Sequence, residues 1–179
     1  MNFFASIQSK YQRLSEIISS GTVDLSALFL RLIAAKVFLD SGLSKWNGFL
    51  QFNADKYDLF LYEFFCPDPI REGALLLCNP ETLDYDEGSF LVRIIETLAL
   101  SAGVMEVILP ALLIVGLFSR FAALGLLCMT LFIQLAVFPT MSHWINPASW
   151  WAAVLFAAFA FGPGRISLDN ALGLNGRKK

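Results

Sequence analysis

The stretch LSALFLRLIAAKVFLDSGL, residues 25–43, has the length and apolarity of a membrane-spanning helix, yet Arg31, Lys36 and Asp40 interrupt it. Crossing about 30 Å of hydrocarbon takes roughly 20 helical residues. A charge at the bilayer centre costs about 3 kcal/mol even on insertion scales, so it is paired or turned toward a polar cavity. Lys36 and Asp40, at i and i+4, share a helix face and can pair with each other. Arg31 lies roughly 140° around the helix from Lys36. It is expected to snorkel to the cytoplasmic interface or to meet an acid on another helix.

That acid is Glu106, near the middle of a second apolar run over residues 96–118. Runs over 121–138 and 147–161 complete four expected spans, and Trp144, Trp150 and Trp151 gather near one end of the short last one, as interfacial aromatic belts do. Of the 179 residues, 56% are hydrophobic and 16% charged, against about 45–50% and 25% in soluble domains. Lipid cannot satisfy an open sheet edge, so the spans are helical. The expected fold is all-α: a four-transmembrane-helix bundle over 23–179, with a long extracytoplasmic loop at about 46–90 between helices 1 and 2. An amphipathic membrane-surface helix precedes it over 1–22. There Phe3, Phe4, Ile7, Tyr11, Leu14, Ile17 and Ile18 recur at helical spacing among polar residues. A soluble helix packed on the bundle would show the same pattern. Gly21 to Asp24 is expected to turn the chain into the first span, with Asp24 or Ser26 as a cap.

Lys and Arg placement orients the chain. Lys10, Arg13, Arg120, Arg165, Arg177, Lys178 and Lys179 flank one side of the spans, whereas the first loop is acidic and the turn at 139–146 has neither lysine nor arginine. The positive-inside rule then places both termini in the cytoplasm. A net charge of −2 without an interior basic block excludes nucleic-acid binding. Three cysteines and one histidine are too few for a closed structural zinc site.

Within the outer loop, Asn53 to Phe65 reads as a short aromatic and acidic helix capping the bundle. Pro67, Pro69, Pro80 and the acidic run Asp84 to Glu87 break the remainder of the loop into irregular structure. The apolar segment Gly73 to Leu77 is expected to dip toward lipid or cover a cavity. Cys66 and Cys78 lie twelve residues apart in this loop and are expected to form a disulfide in an oxidising exterior. It is either a staple for a loop with little core or a redox pair feeding a membrane quinone. Cys128 reads as a small core residue.

The candidate cavity charges are Lys36, Asp40 and Glu106, with Arg31, Gln134 and Arg120 available to hold a ligand. Buried charges of this kind either clamp helices together or line a polar cavity for a quinone head group, an ion or a small solute. Lys45 and Trp46, at the outer end of the first span, read as interfacial anchors. His143 beside Trp144 reads as a polar interfacial residue, the alternative being a proton relay or metal ligand. Pro110 permits a kink beside Glu106. Phosphate-binding glycine loops, HExxH and a Ser/His/Asp set are all absent from the sequence.

Arg31 followed by FLDSGLSK at 38–45, the block EVILPALLIVGLFSR at 106–120 and GPGRISLD at 162–169 resemble the DoxX family of small four-helix membrane proteins. The resemblance runs from about Leu28 to Asp169, and MTLFIQ at 129–134 with Pro139 looks like a subgroup signature. By position, Arg31, Ser41, Gly42, Lys45, Glu106, Pro110, Gly116, Leu117 and Arg120 match, whereas Asp40 and the two-cysteine loop depart from the commonest form. The family is named for membrane subunits of a thiosulfate:quinone oxidoreductase, and relatives are associated with oxidative-stress and thiol-redox membrane complexes. The resemblance implies a bacterial-type cytoplasmic membrane protein, lipid as its surroundings and a membrane or extracytoplasmic redox protein as partner, with the oligomeric state open. The sequence shows no flavin, haem or iron–sulfur motif, so this chain alone is not expected to hold a conventional redox cofactor; the cofactor is left open, a quinone being the one the resemblance implies. The leading expectation is therefore a quinone- or thiol-linked subunit of a redox complex. Its rivals are a non-catalytic scaffold and, against the absence of an inverted repeat, a small-solute or metal transporter.

Overall fold

The computed structural model describes residues 2–86 and 88–175, with the side chains at 2–6, 17, 19 and 20 left out of the description. Arg177, Lys178, Lys179 and Glu87, and the side chains of Phe3, Phe4 and Ile17, lie outside the described residues.

Three helices are long and apolar enough to cross a membrane: α3 (Phe90–Val115); α4 (Ser119–Phe132), which continues in wider turns through Val137; and the stretch Met141–Phe161. This last contains the short α5 (Met141–His143), a loosely wound segment Trp144–Ala148 and α6 (Ser149–Phe161). Residues 141–145, expected to form a turn, wind helically, but Asn146 is extended (φ −149°, ψ 113°), so a kink separates them from α6. All three helices show apolar side chains outward, such as Ile108, Leu135 and Phe156, as helices solvated by lipid do. α3 is capped by Ser89, whose hydroxyl accepts from Leu91 N at 3.3 Å. It ends at Gly116, whose φ of 73° only glycine adopts without strain.

The fourth long helix is α1 (Asn2–Leu43), a single helix of 42 residues. The expected turn at Gly21–Asp24 is absent. Nothing packs within 4 Å of where a Gly21 Cβ would sit, and Thr22 Oγ1 donates to Ile18 O at 2.6 Å. Among the described residues nothing packs on Gly21, and the helix runs unbroken through it. Asp24 caps nothing in α1; it accepts from Arg165 N at 2.9 Å.

After α1 comes a small antiparallel hairpin, β1 (Trp46–Gly48) and β2 (Gln51–Phe52), the one departure from helix and loop among the described elements. α2 (Asp55–Asp58) then continues in wider turns through Leu59–Phe64, at the place where a capping helix was expected. α7 (Leu168–Ala171) closes the described chain.

Two hydrophobic clusters divide the molecule. One, toward the end where residues 162–175 fold back, packs Ala34, Ala35, Phe38, Leu113, Ala122, Ala123, Leu126, Leu155 and Ala158. Its alanines let the helices approach closely, which suits packing without a hydrophobic driving force. The other joins the loop to the far ends of α3 and α4 through Phe60, Leu61, Phe65, Ile95, Ala99 and Val137. We call these the tail end and the loop end.

Candidate functional site

Between the two clusters, the last turn of α1 meets the middle of α3. A Cβ on Gly42 would lie 2.6 Å from the Glu106 carbonyl oxygen, so glycine is what allows the two backbones to touch. Just beyond, Lys45 folds back, its amide donating to Gly42 O at 3.0 Å. Its ammonium donates to Ser41 Oγ at 3.1 Å and forms a buried ion pair with Glu106 Oε2. The pair is about nine-tenths shielded, the side chains being 10% and 8% exposed. Both charges are thus removed from solvent and satisfied by each other, the condition under which a buried pair is tolerated.

Above this pair lies a cavity of about 450 Å³. Its polar lining is Ser41, Lys45, Ser101 and Glu106, with Cys128 at one edge; the rest is Phe60, Phe64 and Phe65 from the loop and apolar residues of α3 and α4. Ser101 and Met105 on α3 and Cys128 and Phe132 on α4 are all exposed. The cavity therefore opens sideways between these two apolar helices. Cys128, expected in the core, is instead exposed on this rim.

The loop forms the roof. Tyr85 Oη donates to Leu61 O at 2.8 Å, and Leu77 N to Phe65 O at 2.9 Å. Arg71 Nε donates to Val137 O at 3.0 Å, its Nη2 reaches the Glu63 carbonyl, and its guanidinium lies 4.5 Å over the Phe138 ring. Leu75 N donates to Ala136 O at 2.7 Å, so the Gly73–Leu77 segment does settle on the end of α4. The Cys66–Cys78 disulfide, with Cα atoms 5.5 Å apart, closes the chain directly behind Phe65. Burial pushes the Tyr85 hydroxyl up to about 12, Tyr62 adding to the effect, and burial lowers Arg71 from its ordinary value.

A family model described as DoxX matches residues 26–139, from α1 through α4, with the ion pair and the loop inside the match. The chain belongs to the DoxX family. No curated protein and no solved structure matches it. The matched region stops short of the block at 162–169, but the fold shows what that block does in this DoxX chain. Asp169 accepts from Phe118 N at 2.8 Å and Ser119 N at 3.0 Å, capping the start of α4 from the tail. Gly162 lies against Arg120.

The charges picked out in the sequence separate into distinct places. Glu106 is at the cavity. Lys36 and Asp40 pair at 2.5 Å but lie outside it, 76% and 63% exposed. The reason is the helix stripe: α1 buries Ala27, Arg31, Ala34, Ala35, Phe38 and Gly42, and Lys45 just past its end is buried too. Positions 36 and 40 fall on the opposite face. Arg31 does not meet Glu106; it lies at the tail end. It is 1% exposed and donates to Leu113 O at 3.1 Å and Ile166 O at 2.5 Å, fastening α1 to the end of α3 and to the tail. Gln134 is buried by a second cavity of about 300 Å³, where its side-chain oxygen lies 2.6 Å from His143 Nδ1 and its nitrogen donates to Thr140 O at 3.2 Å. His143 stacks on Phe138 at 4.9 Å. Arg120 is exposed at the tail end, donating to Phe159 O at 3.2 Å. Among the described residues, no group of three or more His, Cys, Asp or Glu side chains could hold a metal.

Lys45 is the residue the sequence reading misplaced as an anchor. The signal for it was present: it continues the buried stripe of α1 at Phe38, Gly42 and Lys45, one residue past a polar Ser44.

Proposed function

We propose that this DoxX protein is a four-span membrane subunit whose cavity takes a quinone-like ligand from the lipid. α1 supplies the fourth span, and its unbroken continuation, residues 2–22, projects from the cytoplasmic side. Both termini face the cytoplasm of a bacterial-type cell, and the roof faces outward. The observation that carries this reading is the sideways opening between α3 and α4 onto an apolar cavity with one charged pair at its floor. A solute drawn from water would need a polar path; a ligand dissolved in lipid needs only the gap. Binding sites for small molecules are apolar with few placed polar groups, and a quinone presents the matching form, a flat apolar ring with carbonyl oxygens.

In this reading the Lys45 ammonium donates to a ligand carbonyl, and Glu106 holds or releases the proton that accompanies reduction. Lys45 stands in for the candidate donors Lys36 and Arg31, and Glu106 remains from the candidate acids Asp40 and Glu106. Electrons come from a membrane or extracytoplasmic redox partner, since this chain supplies binding and proton chemistry. Purified protein extracted with solvent is expected to yield quinone, or to bind an added short-chain quinone in a way that Glu106→Gln and Lys45→Met weaken at least tenfold. No extractable quinone and no saturable binding would overturn the proposal. The second reading, a scaffold, is favoured by one fact: Lys45 and Glu106 already satisfy each other across α1 and α3. A double Lys45→Leu, Glu106→Leu variant that folds and keeps the host complex active would support it.

A further inference from the structure

The outward stripe of α1, opposite its buried one, runs Phe29, Leu32, Ile33, Lys36, Asp40 and Leu43, and all six are exposed. Taken with the reading that α1 spans the bilayer, this stripe faces lipid. Its depth follows from packing. Arg31 is level with Leu113 and Gly116 at the tail end of α3, and Gly42 is level with Glu106 in the middle of that helix. At 1.5 Å per residue, Lys36 and Asp40 stand roughly 8 and 14 Å above Arg31. On that reading they lie within the hydrocarbon, on a face over which none of the described residues packs. Charged side chains at such depth face protein or a water-filled space, and neither is present on this face among the described residues.

We propose that the stripe is the contact through which two copies of this chain associate, α1 against α1. The charge pattern selects the occupant. A Lys and an Asp one turn apart form a neutral doublet that complements a second copy of itself about a two-fold axis along the bilayer normal. Each ammonium then lies between its own Asp40 and its neighbour's, and each carboxylate is shared in the same way. Polar groups on facing helices hold membrane helices together, and the flanking Phe29, Leu32, Ile33 and Leu43 make the surrounding seam. The buried stripe and the cavity are untouched, so two copies would carry two independent cavities.

The test uses the full chain in lipid bilayers. Ile33→Cys, in a Cys128→Ser background that keeps the native disulfide, is expected to crosslink copy to copy across a range of protein-to-lipid ratios. A charged, membrane-impermeant maleimide should leave it unmodified. A Lys36→Glu chain carries only acids on this face and an Asp40→Lys chain only bases. Each alone is expected to lose crosslinking at least tenfold, and the two co-expressed to recover it as a mixed pair. Equal self-association of all three chains, or crosslinking of position 33 to a different polypeptide and not to itself, would overturn the proposal. If position 33 is neither crosslinked nor labelled, the helix is in lipid and only the pairing is wrong. If the impermeant reagent labels it rapidly, the pairing falls together with the spanning role of α1.

Discussion

Lys36–Asp40 and Lys45–Glu106 are the same chemistry in two settings. The first joins residues one turn apart on a single helix, at 2.5 Å, with both side chains well exposed. The second joins residues 61 apart in sequence, across α1 and α3, with both side chains shielded. A local pair forms wherever helix geometry allows and says little about the fold. The distant pair exists only because Gly42 lets two helices touch. Lys45–Glu106 therefore reports tertiary packing, and Lys36–Asp40 reports a surface.

The largest expected effect breaks the distant pair. Glu106→Leu leaves the Lys45 ammonium buried with only the Ser41 hydroxyl as acceptor, a loss of about 3–5 kcal/mol. Thermal unfolding in detergent should show it, and adding Lys45→Leu should restore much of the loss. Next is the roof over that pair. Replacing Cys66 and Cys78 together by Ser is expected to cost about 2–4 kcal/mol, with faster proteolysis of the loop at residues 55–86. If the stability is unchanged, the disulfide is no staple, and a redox role gains ground.

On the exposed pair, replacing Lys36 and Asp40 together by Leu should shift unfolding of the single chain by less than about 1 kcal/mol and leave ligand binding at the cavity intact. A loss as large as that from Glu106→Leu would mean that both pairs are structural and would erase the contrast between them. The smallest effect is a pH dependence confined to the roof. Tyr85 titrates in the fold at about 12 against an ordinary 10. The folded chain therefore keeps a proton that the unfolded chain gives up. That stabilisation is complete below about pH 10 and declines as pH rises toward 12. Tyr85→Phe should flatten this decline, measured as loop proteolysis between about pH 9 and pH 12 in steps of about half a unit.

Helical apolarity in residues 96–118 and 121–138 is legible because each residue contributes its own transfer free energy, whatever its neighbours in space. The disulfide was legible from two cysteines in one loop. Burial on α1 was harder to see. Lys36 stands at the centre of the apolar stretch and Lys45 at its margin, yet the phase of the helix buries the marginal residue and exposes the central one. Arg31 was expected at the cytoplasmic interface or beside Glu106; it holds Leu113 O at the end of α3 and Ile166 O on the fold-back of residues 162–169, an acceptor that no local pattern announces. The expected break at Gly21–Asp24 is absent: among the described residues nothing packs on Gly21, and the helix continues through it.

By itself, then, the sequence determined the apolar surroundings of this protein, its helical character, its DoxX membership and the closure of its long loop. These rest on residue-by-residue hydropathy and short-range spacing. Tertiary structure alone decided which lysine meets Glu106, where the cavity opens and which charges stay outside. Those depend on the rotation of α1 against α3, set by Gly42 and the alanine-rich seam, and a modest turn of helix phase separates a buried ion pair from an exposed one.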